Sequence, residues 1–316
     1  MKSYISRKFP QETRNTRANF EAGAARSALT SDSMASGVAI CTMAETGVAY
    51  YQHMRGSRGF AAVVRLIGLG LYALLAATAA RADDVRVMTS GAFTAAYQAL
   101  VPEFERVTGH HVISTYGASM GVGPTTIPSR LERHESADIV ILAGASLDDL
   151  IARGLVVRGS RVDLVRSQIG MAVKAGAPRP DISSVAALKA TLLRARAVGC
   201  SSSASGVYLT TELFPRLGVA DAVQGKLRIS EGAVGPLVAS GEAEIGFQQI
   251  SELLPVPGID YVGPLPAGAQ RETIFAAGIV SGAQSPDAAR ALLKFFQSAD
   301  ALPIIRRTGL DPITAR

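Results

Sequence analysis

Asp138–Ala143 reads DIVILA. After the aspartate every side chain is apolar, so a strand here has no face to give to water. Such a strand belongs inside a sheet covered on both faces, and flanking helices are the natural cover. The neighbouring segments fit. Asp84–Thr89 (DVRVMT) and His111–Tyr116 (HVISTY) read as strands, with a helix over Phe93–Val107 between them and a short helix over Ile127–His134 after them. Phe93, Tyr97, Leu100, Val101 and Phe104 recur at helical spacing, while Pro102 is expected to disturb the middle of that helix. A helix over Leu147–Arg153 stops at Gly154, where a left-handed cap is easy.

The alternation then repeats. Gly170–Lys174, Arg196–Cys200, Leu227–Ser230, Glu244–Gln248, Tyr261–Val262 and Thr273–Val280 read as strands. Between and after them fall helices at Val185–Ala195 (capped by Ser183 or Ser184), Gly206–Leu217, Val234–Ser240, Pro286–Ala299 and Ala301–Arg307. This order predicts an α/β chain with mostly parallel sheets. No long linker divides it, so two lobes would share chain crossings.

The first part of the chain has a different character. Leu66–Ala80 (LIGLGLYALLAATAA) is uncharged and apolar, Arg55, Arg58 and Arg65 precede it, and Ala80-Arg81-Ala82 follows. Basic, apolar, small is the order of a secretory signal with cleavage before Asp83, and the run is short for a membrane span, which wants ~20 residues. Residues 54–82 are read as that signal, with Met54 as its start, and residues 1–53 as an upstream extension outside the working protein. Residues 1–82 hold ten Lys or Arg and four Asp or Glu, which accounts for the whole net charge of +6 and leaves 83–316 neutral with 22 of each. The usual inference from a basic chain to nucleic acid therefore fails. Cys200 is alone after residue 82, so no internal disulfide forms there, and it reads as a buried thiol at a strand end. His110, His111 and His134 lack zinc spacing. Neither a metal nor a cofactor is expected.

Four strand ends pass into helices through small residues: Thr89-Ser90-Gly91-Ala92, Gly117-Ala118-Ser119-Met120-Gly121, Ser201-Ser202-Ser203-Ala204-Ser205-Gly206, and Ser230-Glu231-Gly232-Ala233. A helix start offers free N–H groups and the positive end of the helix dipole, and small residues let an anion reach them. In open α/β sheets ligands bind beyond the carboxyl ends of strands. Gln248-Gln249, at another strand end, adds amides that could donate to a ligand or cap a helix.

Residues 117–121 also fit G-x-S-x-G, the turn that lifts a nucleophilic serine. That chemistry needs an acid and then a histidine after the serine. The last histidine is His134, fifteen residues past Ser119, and no Asp lies between. Ser119 reads as a hydrogen-bond donor, and Asp148-Asp149 as a solvated helix face. No dinucleotide or Walker fingerprint is present.

The chain from 84 to 312 resembles the periplasmic molybdate-binding-protein-like solute receptors, the binding components of ABC transporters. The resemblance is carried by SGAFTAAYQALVPEFERVTG (90–109), ESADIVILAG (135–144), SGVYLTTELFPRLG (205–218), VASGEAEIGFQQISELLPVPGIDYVGPLP (238–266) and ARALLKFFQSADALPIIRRTGLDP (289–312). It implies a two-lobed type II periplasmic-binding-protein fold with a hinge between lobes. One lobe would take 83–167 and 274–316, the other 168–273. It implies an oxyanion held by hydroxyls and backbone N–H groups without a basic side chain, at Ser90, Gly91 and Ala92, at Ala118, Ser119 and Met120, at Ala204, Ser205 and Gly206, and at Glu231, Gly232 and Ala233, with Gln248 and Gln249 beside them.

Several positions depart from that pattern. Ala92 stands where molybdate binders put a serine, Gln249 where they put a tyrosine, Met120 brings a thioether, and Gly121–Ser129 is longer. These changes point from molybdate toward a larger oxyanion or a small carboxylate, for which Arg130 is a candidate partner. The expectation is a monomeric periplasmic receptor, not an enzyme, that captures a small anion and delivers it to an inner-membrane ABC permease without contacting nucleic acid. The alternatives are a secreted serine hydrolase using Ser119 and a ligand-sensing partner of a membrane receptor.

Overall fold

The computed structural model describes residues 82–121 and 123–314. The expected upstream extension, and the expected signal apart from Ala82, lie outside the described residues. Among the described residues no helix is long and apolar enough to cross a membrane.

The strands are β1 (Asp84–Thr89), β2 (His111–Tyr116), β3 (Ile139–Ala143), β4 (Val162–Ser167), β5 (Ile169–Lys174), β6 (Val198–Ser201), β7 (Leu227–Ser230), β8 (Ile245–Gln249), β9 (Ile259–Pro264), β10 (Thr273–Ile279) and β11 (Asp311–Pro312). They build two sheets, ordered β11-β4-β10-β3-β1-β2 and β7-β6-β8-β5-β9. The helices are α1 (Gly91–Thr108), α2 (Ile127–Glu132), α3 (Gly144–Ala152), α4 (Val185–Arg194), α5 (Ala204–Tyr208), α6 (Phe214–Leu217), α7 (Ala220–Gln224), α8 (Gly235–Ser240), α9 (Ile250–Leu253), α10 (Pro286–Phe296) and α11 (Ala301–Arg307).

The sheets are mixed rather than mostly parallel. Pairings β1/β2, β1/β3, β6/β7 and β6/β8 are parallel, and those of β10 with β3 and β4, β11 with β4, and β5 with β8 and β9 are antiparallel. The reason lies in the crossings. Each sheet grows in parallel by strand–helix–strand steps, and the chain that changes sheets enters the new one in the opposite sense. Gln168 alone separates β4 of the first sheet from β5 of the second, and residues 265–272 carry the return from β9 to β10. Strand β4, which the sequence pattern did not mark, is one of these crossing strands.

Period two is visible in the first core. Val85, Val87, Ile139 and Ile141 pack on one face with Phe93, Tyr97, Leu100 and Phe104 of α1 and Leu292 and Phe296 of α10. Met88, Val140 and Leu142 face the other way, onto Ile127, Leu131, Leu147 and Leu150. Burying each large apolar side chain contributes roughly 1.5–3 kcal/mol before chain entropy is charged against it. Helix α1 runs unbroken through Pro102, because the packing of its apolar stripe outweighs one lost hydrogen bond. It ends at Gly109 with φ 76°, the left-handed cap glycine favours. The second sheet buries Met171, Val173, Val198, Cys200 and Phe247 against α4 to α7. Ser184 caps α4 by accepting from the Ala187 N–H at 3.1 Å. Between α5 and α6 the helix widens into a π-turn, Leu209–Leu213, ahead of Pro215, which has no N–H to close a regular turn.

Candidate ligand cleft

Strand ends from both sheets meet around a cleft of about 430 Å³. Ser90, Gly91 and Ala92 enter it after β1, and Ser119 after β2. From the other sheet come Ala204 and Ser205 after β6, Gly232 and Ala233 after β7, and Gln248 and Gln249 at the end of β8. Met120 and Gly206, both expected in the oxyanion site, do not line it. Met120 packs against the core of the first sheet. Gly206 lies so close to the end of β6 that a Cβ on it would be 1.6 Å from the Ser201 carbonyl oxygen, so its smallness serves the strand-to-helix turn.

No lysine, arginine or histidine lines the cleft among the described residues. Arg130 is turned away, donating to Glu135 at 2.6 Å and to the Thr125 carbonyl at 3.2 Å. No cluster of three metal-capable side chains occurs among the described residues. The cleft's donors are therefore hydroxyls, amides and the N–H groups of helix starts, and Ala92, Ala95, Pro255 and Phe275 give it an apolar wall.

Two serines differ sharply. Ser119 Oγ is buried and accepts from the Ala143 N–H at 3.0 Å, which leaves its own proton free for a ligand. With no histidine or lysine beside it to take that proton, the nucleophile of a hydrolase is not assembled. Ser90 precedes the 18-residue α1 but makes no cap hydrogen bond with its side chain. Its Oγ is buried without a partner, and among the described residues no other buried side-chain polar atom is left so. An orphaned buried hydroxyl costs stability unless something fills its valence.

Glu252, on the short helix α9, was not marked by the sequence pattern. Glu252 is half-buried as a residue and lines the cleft. Oε1 accepts from Gln248 Nε2 at 2.7 Å, and Gln248 Oε1 in turn accepts from the Val234 N–H at 2.7 Å. Burial among packed side chains pushes the carboxyl up to about 8, against the pull of the Gln248 amide. Next to it, Ser251 Oγ donates to the Ala92 carbonyl at 2.7 Å, joining α9 to α1.

Gln249 has a different task from Gln248. Its Oε1 accepts from Ser167 Oγ at 2.8 Å, and its Nε2 reaches Thr273 Oγ1 at 3.5 Å. Ser167 ends β4 and Thr273 begins β10, so this amide ties together the two chain crossings. Cys200 is fully buried, and burial pushes its thiol up to about 12. Asp148 and Asp149 form surface ion pairs with Arg161 and Arg153.

The model of a family described as bacterial extracellular solute-binding protein matches residues 85–311. The chain belongs to that family. An aconitate isomerase of a Pseudomonas species is 45% identical to this solute-binding protein over 258 residues, 80% of this chain and 98% of the relative. The molybdate-binding protein of Azotobacter vinelandii is 25% identical over 252 residues, 76% of this chain and 95% of its own. A solved periplasmic molybdate-binding protein of the same species matches the fold with TM-score 0.58 and 20% identity, over 73% of this chain and all of that one. The two-lobed architecture and the molybdate-binding-like family are thereby shown.

Proposed function

We propose that the cleft captures a small polycarboxylate and interconverts the cis and trans isomers of aconitate. The observation that carries the anion is Ser90, a buried hydroxyl without a partner at the start of the long helix α1. A ligand oxygen there would receive the hydroxyl proton and the free N–H groups of the helix start together. The apolar wall supports a ligand with a carbon skeleton, since a tetrahedral oxyanion has no use for it. The relative named aconitate isomerase, aligned over nearly its whole length, supplies the substrate class. The sequence alone gave no enzyme. That relative, together with an ionisable carboxyl in a cleft of neutral donors, is what reopens the question.

We read the working chain as periplasmic, on the family's extracellular description and on the basic, apolar, small order of residues 55–82. A second reading, capture of an anion for an ABC permease, is favoured by the hydrogen-bonded pair of crossings at Gln249, a hinge by construction. One experiment separates the two. The purified protein is mixed with trans-aconitate and followed by proton NMR, with calorimetric titration against cis- and trans-aconitate, citrate, molybdate and sulfate. Appearance of the cis isomer supports the isomerase. Tight binding of any of these anions without conversion supports the receptor.

A further inference from the structure

Aconitate carries a carboxyvinyl arm and a carboxymethyl arm on one central carbon. Moving one proton from the methylene carbon to the vinyl carbon exchanges the arms, and it yields the other geometric isomer when the methylene's carboxylate is held on the opposite side from the one the vinyl carboxylate started on. The C–H bond of the methylene breaks and its electron pair becomes the new double bond. The old double bond's pair takes the proton at the other arm. Nothing is oxidised or reduced, and a single group that accepts and returns one proton suffices.

We infer that Glu252 is the acid–base group that moves this proton. The inference rests on the isomerase reading above. Two carboxylates line the cleft among the described residues, Glu231 and Glu252. Glu231 is exposed to solvent. Glu252 is held in place: Gln248 fixes Oε1 at 2.7 Å and is itself fixed by the Val234 N–H. Its carboxyl also lies against the start of α1, with Oε1 2.0 Å from where a Cβ on Gly91 would be. It therefore stands beside Ser90, where a ligand carboxylate is expected, and within reach of the carbon next to that carboxylate. Packing raises its affinity for a proton, which strengthens it as a base toward a weakly acidic C–H. Hydroxyls and helix starts around the cleft can stabilise the negative charge that spreads over the three-carbon unit as the proton leaves. Gln248 acts as a positioning residue.

The test compares wild type with Glu252→Gln and Glu252→Asp, measuring isomerisation by NMR in H₂O and D₂O, and trans-aconitate affinity by calorimetry. The glutamine can still accept from Gln248, so the variant keeps its neighbours. The expected result is a thousandfold or greater loss of rate in Glu252→Gln with affinity within tenfold of wild type, and an intermediate rate in Glu252→Asp. An active wild type together with a Glu252→Gln variant keeping a tenth or more of the rate overturns the assignment and leaves the isomerase reading standing. A wild type that converts neither isomer overturns both.

Discussion

The Glu252 carboxyl occupies the space a side chain on Gly91 would need, although the two residues belong to helices on different sheets. A methyl group at 91 and Oε1 in its present place cannot coexist at 2.0 Å. The obstacle is the tip of a flexible side chain, so Gly91→Ala should fold, with its thermal midpoint within a few degrees of wild type. The displaced carboxyl and the added methyl should together weaken trans-aconitate binding tenfold or more. Calorimetry checks this, and an unchanged affinity would make the contact incidental to the ligand.

Glu252 also predicts how stability varies with pH. Its folded value of about 8 lies above the ordinary 4.5, so the folded state binds this proton more tightly than the unfolded chain does. The stability from that protonated carboxyl is whole below about 4.5 and is lost as pH rises toward and through about 8. Among the described residues lining the cleft none carries positive charge: Gln248, Ser90 and Gly91 are neutral, and Glu231 is another acid. Thermal midpoints of wild type and Glu252→Gln, measured between pH 5 and 9, should therefore diverge, with the variant gaining on wild type toward alkaline pH. Parallel curves would show that the carboxyl titrates normally.

How much of this was legible follows from where the information lies. The apolar strands, the helices between them and the small-residue turns are local patterns, and Ser90, Ser119, Ala204 and Ser205 could be read from them. Strand β4 and the antiparallel pairings could not, because they depend on where the chain changes sheets. Glu252 sits on a four-residue helix too short to show periodicity, and its importance arises from Gly91, 161 positions away in sequence. Gln249 was legible as a strand-end amide but not as the link between crossings, since Ser167 and Thr273 lie far from it along the chain.

Ser90 and Ser119 look alike in sequence and should behave oppositely when truncated. Ser90→Ala removes a hydroxyl that has no partner, so the ligand-free protein should keep its stability within about 0.5 kcal/mol or gain slightly. Its affinity for the anion should fall roughly ten- to a hundredfold, the worth of one hydrogen bond to a charged group. Ser119→Ala strips the Ala143 N–H of its acceptor and should destabilise the ligand-free protein by about 1–3 kcal/mol. Urea unfolding with and without trans-aconitate measures both effects. A Ser90→Ala variant as unstable as Ser119→Ala would contradict the unpartnered hydroxyl.

Gly206 provides the last contrast, between a glycine with open space beside it in the cleft and one that admits the chain itself. A Cβ there would meet the Ser201 carbonyl oxygen at 1.6 Å and the carbonyl carbon at 2.6 Å, both backbone atoms that no rotamer change can move. Overpacking of this kind typically costs about 1–3 kcal/mol, and a clash with strand backbone should place Gly206→Ala at or beyond the top of that range. Because β6 also carries Cys200 into the second core, the shift should spread through that sheet. Urea unfolding should show an early transition in Gly206→Ala, and saturating trans-aconitate should not restore the wild-type midpoint. Gly232→Ala is the internal control, since nothing lies within 4 Å of a Cβ there. It should unfold like wild type and reveal itself only in ligand affinity. If Gly206→Ala instead unfolds normally and loses only affinity, the glycine belongs to the ligand site after all.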